Sequence, residues 1–205
     1  EIPNMNKNEF DSTINNSLGV WKTSLLEMKN IETKEYSKFK EKELKELDDI
    51  NTIVNNFYNS MIKLTPGNQA IDFVVEDIHG KKYSLKDFKN TAICIDIWAS
   101  WCSACIKEMP YLEKLADKYK DQNIEFIVIS VDDKNEVWKK LLKERNLHGH
   151  QFWANGGQKS DFFKNYQLKD LPVYIVIDKY GKIIKSRAPR PSENLEDVII
   201  EALNI

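Results

Sequence analysis

The stretch Ile93-Cys94-Ile95-Asp96-Ile97-Trp98-Ala99-Ser100-Trp101-Cys102-Ser103-Ala104-Cys105 constrains this chain more than any other. It opens as an apolar, β-branched run of strand length and ends in two cysteines spaced like one helical turn. Beyond them Ile106, Met109, Leu112, Leu115, Ala116 and Tyr119 recur at helical spacing. The pattern predicts a strand, a tight turn and a helix, with Cys102 at the helix start and Cys105 one turn inside. Unpaired backbone N–H groups and the dipole at a helix N-terminus favour negative charge, so Cys102 ionises more readily than a free thiol. Cys105 faces inward and stays protonated until it is needed. Three residues of helical rise span about 4.5 Å, within reach of a disulfide. The chemistry implied is thiol–disulfide exchange, in which Cys102 attacks or is attacked and Cys105 resolves the mixed disulfide.

Two carboxylates lie close in sequence to the thiols. Asp96 stands in an otherwise apolar strand, where burying it costs energy unless it is used or paired. It is read as a carboxyl of raised pKa that relays a proton toward Cys105, against the alternative of a solvated strand-edge aspartate. Glu108 lies one turn beyond Cys105, where an ordinary helix-surface glutamate competes with a tuning role. Trp101 is expected to shield the thiolate from solvent. The third cysteine, Cys94, alternates with Ile93 and Ile95 and reads as a small core hydrophobe.

The segment Asp96 to Cys105 resembles the active-site segment of thioredoxin-fold proteins. Cys105-Ile106-Lys107-Glu108-Met109-Pro110 adds a Cys-x-x-Glu-x-Pro signature similar to the TlpA/ResA-like (AhpC/TSA-related) branch of extracytoplasmic thioredoxin-like proteins. The likeness runs through Asp170-Leu171-Pro172-Val173-Tyr174-Ile175-Val176-Ile177-Asp178 and covers roughly residues 66–205. The resemblance implies an α/β thioredoxin-like fold, a central mixed sheet flanked by helices. It implies that Asp96 accepts the proton of Cys105 and that Glu108 tunes the acidity of the pair. It also implies a cis Pro172 facing the disulfide, whereas a bare X–Pro bond is cis in only about 5–6% of cases. Trp101, Ser103, Ala104, Leu171 and Pro172 would then meet the substrate. Ser103-Ala104 replaces the Gly-Pro of thioredoxin, and Leu171 precedes the proline; both positions govern redox poise and substrate choice in the family. The cysteine pair is itself the redox group, with neither cofactor nor metal. The partners implied are protein thiols or disulfides and an upstream thiol donor.

The chain of 205 residues accommodates one domain and an appendage, and a net charge of −2 offers no argument for nucleic acid. No apolar run approaches the ~20 residues of a membrane span. The sequence opens at Glu1 without an initiator methionine, so either a signal peptide was cleaved or the chain was trimmed. The expected location is periplasmic or otherwise extracytoplasmic, with a membrane anchor through a removed N-terminus as one form of it.

Residues 1–64 read as a polar helical segment ahead of a thioredoxin-like domain at 65–205. Apolar stripes run through Phe10, Ile14 and Leu18, through Trp21, Leu25 and Met28, and through Tyr36, Phe39, Leu44, Leu47, Ile50, Val54, Phe57 and Met61. The stripes pack on their own domain or form a homodimer or partner surface. From Ile71 the pattern turns to strands: Ile71–Val75 and Lys82–Tyr83 flank the turn Asp77-Ile78-His79-Gly80, an N-terminal hairpin. Ser84-Leu85-Lys86-Asp87 has the form of a capping box. Ile124–Val131 reads as a parallel strand and Asn135–Glu144 as a helix with Val137, Trp138, Leu141 and Leu142 inward. Leu147–Tyr166 reads as a strand and a short helix. His148 and His150 with the cysteines would make a zinc site only if the fold gathered them, which their spacing does not require. Val173–Ile177 and Lys182–Arg187 form a second hairpin around Asp178-Lys179-Tyr180-Gly181, and Ser192 is expected to cap a last helix.

The favoured function is an extracytoplasmic thiol–disulfide oxidoreductase acting as a reductant, because nearby carboxylates oppose the stable thiolate that makes an oxidant. A peroxiredoxin-like peroxidase is the alternative, disfavoured because no Pro-x-x-x-Thr-x-x-Cys pattern precedes Cys102. A redox-inactive binding module that uses residues 1–64 is the third reading.

Overall fold

The computed structural model of the chain describes residues 7–27, 33–145 and 150–205. The chain divides into two units, Glu1–Ser60 and Met61–Ile205. The first holds α1 (Lys7–Glu27) and all but the last two residues of α2 (Lys34–Ile62). The two helices run back along each other: the ring of Phe10 stacks on Tyr58 at 3.9 Å between centroids, and Lys22 Nζ reaches Asp48 Oδ1 at 2.9 Å. Leu25, Leu47 and Tyr58 are buried there. The expected stripe on α2 is misplaced in part, since Phe39, Ile50 and Phe57 are exposed. Several half-buried positions on the helix are instead polar, among them Lys40, Asn51 and Asn55. Asn55 Nδ2 donates to the carbonyl and the side-chain oxygen of Asn51 at 2.8 and 2.9 Å, so this face is satisfied by hydrogen bonds that a count of apolar residues does not register. Met28 lies outside the described residues.

The second unit is built on one seven-stranded mixed sheet. Its strands are β1 (Val74–Glu76), β2 (Lys82–Ser84), β3 (Ala92–Trp98), β4 (Ile124–Ser130), β5 (His150–Trp153), β6 (Val173–Ile177) and β7 (Ile183–Ala188). They lie in the order β2-β1-β5-β4-β3-β6-β7. The helices are α3 (Ser103–Tyr119), α4 (Asn135–Arg145), α5 (Asp161–Asn165) and α6 (Leu195–Leu203). β3 pairs parallel with β4 and antiparallel with β6, and all seven of its residues are buried. Burial of both alternating sets means that both faces are covered, which is what a continuous apolar run specifies. This is the thioredoxin-like arrangement expected, with the N-terminal hairpin β1–β2 added at one edge.

The hairpins form as their turns dictate. Asp77 Oδ1 accepts the N–H groups of His79 and Lys81, and Asp178 Oδ1 accepts those of Tyr180 and Lys182. Gly181 supplies the positive φ (79°) of the second turn. Ser84 N–H and Oγ–H both donate to Asp87 Oδ2, opening a short 3-10 turn over Leu85–Phe88. β1 begins only at Val74, because the Asp72 carboxylate takes the Phe73 and Leu85 N–H groups and holds the chain off the ladder. Val137 on α4 is exposed, while Trp138 and Leu142 take the buried places.

Gly157 sits against the end of β4 with φ at +55°, and a β-carbon there would lie 2.8 Å from the Asp132 carbonyl oxygen. Both the backbone conformation and the contact exclude a side chain. Gly157→Ala is therefore expected to cost about 2 kcal/mol or more in urea unfolding, with the shift in the midpoint rather than the slope.

Candidate active site

β3 ends at Trp98, and the chain turns sharply before entering α3. The turn is closed by Cys102 N–H donating to the Ala99 carbonyl at 3.0 Å. A buried carboxylate beyond the end of β4 holds the same turn. Asp132 accepts the Ser100 N–H through both oxygens (3.1 and 3.0 Å), the Ser100 hydroxyl at 2.6 Å and the Ser130 hydroxyl at 2.8 Å. Its own carbonyl accepts the Trp153 indole N–H at 2.7 Å, so one residue joins the ends of β4 and β5 to the loop before Cys102. Sequence reasoning missed Asp132: an aspartate after an apolar strand reads as an ordinary loop residue, and no local pattern marks its partners.

Cys102 is the N-cap of α3, and its Sγ accepts the Cys105 N–H at 3.1 Å. The two sulfurs are bonded to each other, with the α-carbons 5.3 Å apart. Cys102 keeps 7% of its surface exposed and Cys105 none, so an incoming sulfur meets Cys102 first. Trp101 is 61% exposed and stands out as a surface beside the disulfide rather than a packed cover. Ser103 is exposed, Ala104 is half-buried and packs against the core, and Leu171 does the same. The Leu171–Pro172 bond is cis. Pro172 lies one step beyond the Val173–Ile97 pair, at the end of the sheet from which the cysteine loop departs.

Asp96 is fully buried in β3, and neither of its oxygens has a hydrogen-bond partner. Burial, reinforced by the negative charge of Glu108, pushes its carboxyl up to about 8. The Tyr174 hydroxyl, across the strand pair, counters part of that rise without completing a hydrogen bond. Burial first, and then the Asp96 charge, likewise raise the Cys94 thiol, which packs in the core as expected.

Glu108 is 7% exposed and is not a free surface glutamate. Its Oε1 accepts the Ser192 hydroxyl at 2.8 Å and its Oε2 the Ser192 N–H at 3.0 Å. The expectation that Ser192 caps the last helix is therefore corrected: Asn194 holds the N-cap position of α6, and the hydroxyl of Ser192 is taken by Glu108. The helix begins only at Leu195, too far along the chain for Ser192 to be its N-cap, and both Ser192 donors turn to the buried carboxylate of the facing helix. Of the two histidines considered for a zinc site, His150 Nε2 lies 3.1 Å from Glu125 Oε2, and His148 lies outside the described residues. Among the described residues no group of three or more His, Cys, Asp or Glu side chains is arranged to hold a metal ion.

A disulfide at the head of the first crossover helix, with buried carboxyls on the strand before it and one turn after it, defines a thioredoxin-like dithiol oxidoreductase. Comparison with known proteins agrees. The Redoxin family matches residues 65–201. A thiol-disulfide oxidoreductase ResA of Bacillus cereus is 34% identical over 149 residues, covering 72% of this chain and 84% of that protein. A crystal structure from Bacteroides vulgatus, assigned to the thiol–disulfide oxidoreductases, has a TM-score of 0.64 at 36% identity. It covers 69% of this chain and 99% of that one. A thiol:disulfide interchange protein of Bacteroides sp. has a TM-score of 0.62 at 29% identity, covering 70% and 93%. The chain belongs to the Redoxin family, in its TlpA/ResA-like branch of thiol–disulfide oxidoreductases.

The raised Asp96 pKa is also a statement about stability. The folded protein holds this proton up to about 8, while the unfolded chain releases it near 3.8. The contribution is therefore fully present below the lower value and is lost as pH rises through the upper one. Asp96→Asn, measured by denaturant unfolding of the disulfide form, is expected to gain stability over the parent steadily from pH 4 to pH 8. The difference should then level off, with an upper limit on the order of 5 kcal/mol.

Proposed function

We propose that this protein reduces disulfides in exported proteins, with Cys102 as entering nucleophile and Cys105 as resolving thiol. The observation that carries the reading is Cys102 at the N-cap of α3, its sulfur facing a helix N–H and bonded to a fully buried Cys105. In the dithiol form the Cys102 thiolate attacks a substrate disulfide, forms a mixed disulfide and releases one substrate thiolate. Cys105 then gives its proton to Asp96, and its thiolate attacks Cys102 Sγ. The second substrate sulfur leaves as a thiolate, which takes up a proton from solvent, and the two electrons lost in forming the Cys102–Cys105 bond have reduced the substrate disulfide. An upstream thiol donor restores the dithiol by the same steps in reverse.

In this reading Glu108, held by Ser192, raises the cost of negative charge around Asp96 and the sulfurs and so favours the reducing direction. Trp101, Ser103, Ala104, Leu171 and cis-Pro172 form the surface against which a substrate strand lies. The helical segment at 1–64 and the domain at 65–205 are taken as separate parts, with the chemistry confined to the second. The location proposed is outside the cytoplasm, in keeping with the branch of the family. Among the described residues no helix is long and apolar enough to cross a membrane.

The test is direct. Cys102→Ser should abolish reduction of a disulfide-bonded protein substrate, and Cys105→Ser should accumulate a covalent mixed disulfide whose captured partner identifies the substrate. Equilibration with glutathione is expected to give a potential nearer the roughly −270 mV of thioredoxin than the roughly −120 mV of a strong oxidant. A value at the oxidising end removes the direction assigned here.

A further inference from the structure

Tyr174 has no part in the exchange as described, yet it occupies the one cross-strand position that can serve Asp96. The antiparallel pairing of β3 and β6 sets Asp96 directly opposite Tyr174, so the two side chains stand on the same face of the sheet as nearest neighbours. On the other side of Asp96, β4 presents Val128, which has no polar atom. Both the Asp96 carboxyl and the Tyr174 hydroxyl are buried, and neither has a hydrogen-bond partner. Two buried polar groups on neighbouring strands, each without a hydrogen-bond partner, would ordinarily be a double penalty. A pair that engages only when one member changes charge gives both groups a use.

We propose that the Tyr174 hydroxyl is the hydrogen-bond donor that receives the Asp96 carboxylate whenever Asp96 gives up its proton, and thereby sets the pH at which Asp96 can act as a base. Tyr174 is a positioning residue: it touches neither sulfur nor substrate, and its effect passes through Asp96. The inference rests on the proton-accepting role assigned to Asp96 above.

The surroundings make the phenol a donor only. Burial, then the charges of Asp96, Glu108 and Cys94, hold the Tyr174 hydroxyl far above its usual range, with Arg190 opposing weakly. Those are the titratable and charged groups that face the pair: Glu108 from α3, Cys94 from β3 itself, and Arg190 from the segment after β7. The phenol therefore never competes for the proton at neutral pH. When Asp96 is neutral the bond is worth little, and when Asp96 is ionised the bond is charge-assisted and strong. Glu108 acts in the opposite sense and raises Asp96. Asp96 is thus poised between a like charge on the helix and a donor on the neighbouring strand.

The experiment is a titration of the full chain, reduced, with aspartate labelled at the side-chain carboxyl carbon and Asp96→Asn used to assign the signal. Tyr174→Phe deletes only the hydroxyl and keeps the buried ring. It is expected to move the Asp96 midpoint upward by about one to two pH units. The acid limb of the disulfide-exchange rate should move to higher pH with it, because the carboxylate form then appears later. A midpoint that is unchanged or lower in Tyr174→Phe overturns the proposal, whatever the rates do. The two readings fail separately: parent protein that exchanges no disulfides sinks the oxidoreductase assignment, while the carboxyl titration still decides the role of Tyr174.

Discussion

Asp96 sits in a strand closed on both edges by β4 and β6 and covered on both faces, and no donor completes a bond to its carboxyl. Keeping it there costs least while it carries its proton, which is why its titration is displaced toward neutrality rather than toward acid. Around this group the redox chemistry is laid out. The same strand that buries it delivers the chain, six residues on, to the N-cap position of α3. A helix start that welcomes negative charge on Cys102 is thus set next to an interior that resists it, and the two sulfurs differ because their surroundings do.

Much of this was legible in the residues. A seven-residue apolar strand, two cysteines one turn apart and an amphipathic helix admit few arrangements, and the hairpin turns announce themselves through Asp77 and Asp178, whose carboxylates cap them. What was not legible depends on contacts distant in sequence. Asp132 looks like any loop aspartate until β4 lies beside β3 and brings it to Ser100, 32 residues away. Ser192 has the local signature of a helix cap, and only the approach of α3 shows that its hydroxyl is spent on Glu108. The face of α2 was partly misjudged for a different reason: asparagines and a lysine stem fill half-buried positions that hydrophobicity assigns to solvent.

The loop that presents Cys102 is held from below as well as from its own turn. Asp132 grips it through a backbone N–H and a hydroxyl, and Gly157 and Trp153 brace Asp132 in turn. A mobile nucleophile would have to be ordered at each encounter, at an entropic cost that this bracing removes beforehand. Opening and closing a sulfur–sulfur bond across 5.3 Å of α-carbon separation then asks for side-chain adjustment rather than rearrangement of the loop.

The link between Glu108 and Ser192 spans 84 residues of chain. It ties the helix that carries Cys105 to the segment that leads into α6, so the carboxyl one turn beyond that cysteine is held by a part of the chain far from it in sequence. Loosening the turn before α6 would therefore free a carboxyl that is buried one turn beyond Cys105, a disturbance that reaches the helix of the cysteines from the last segment of the sheet domain.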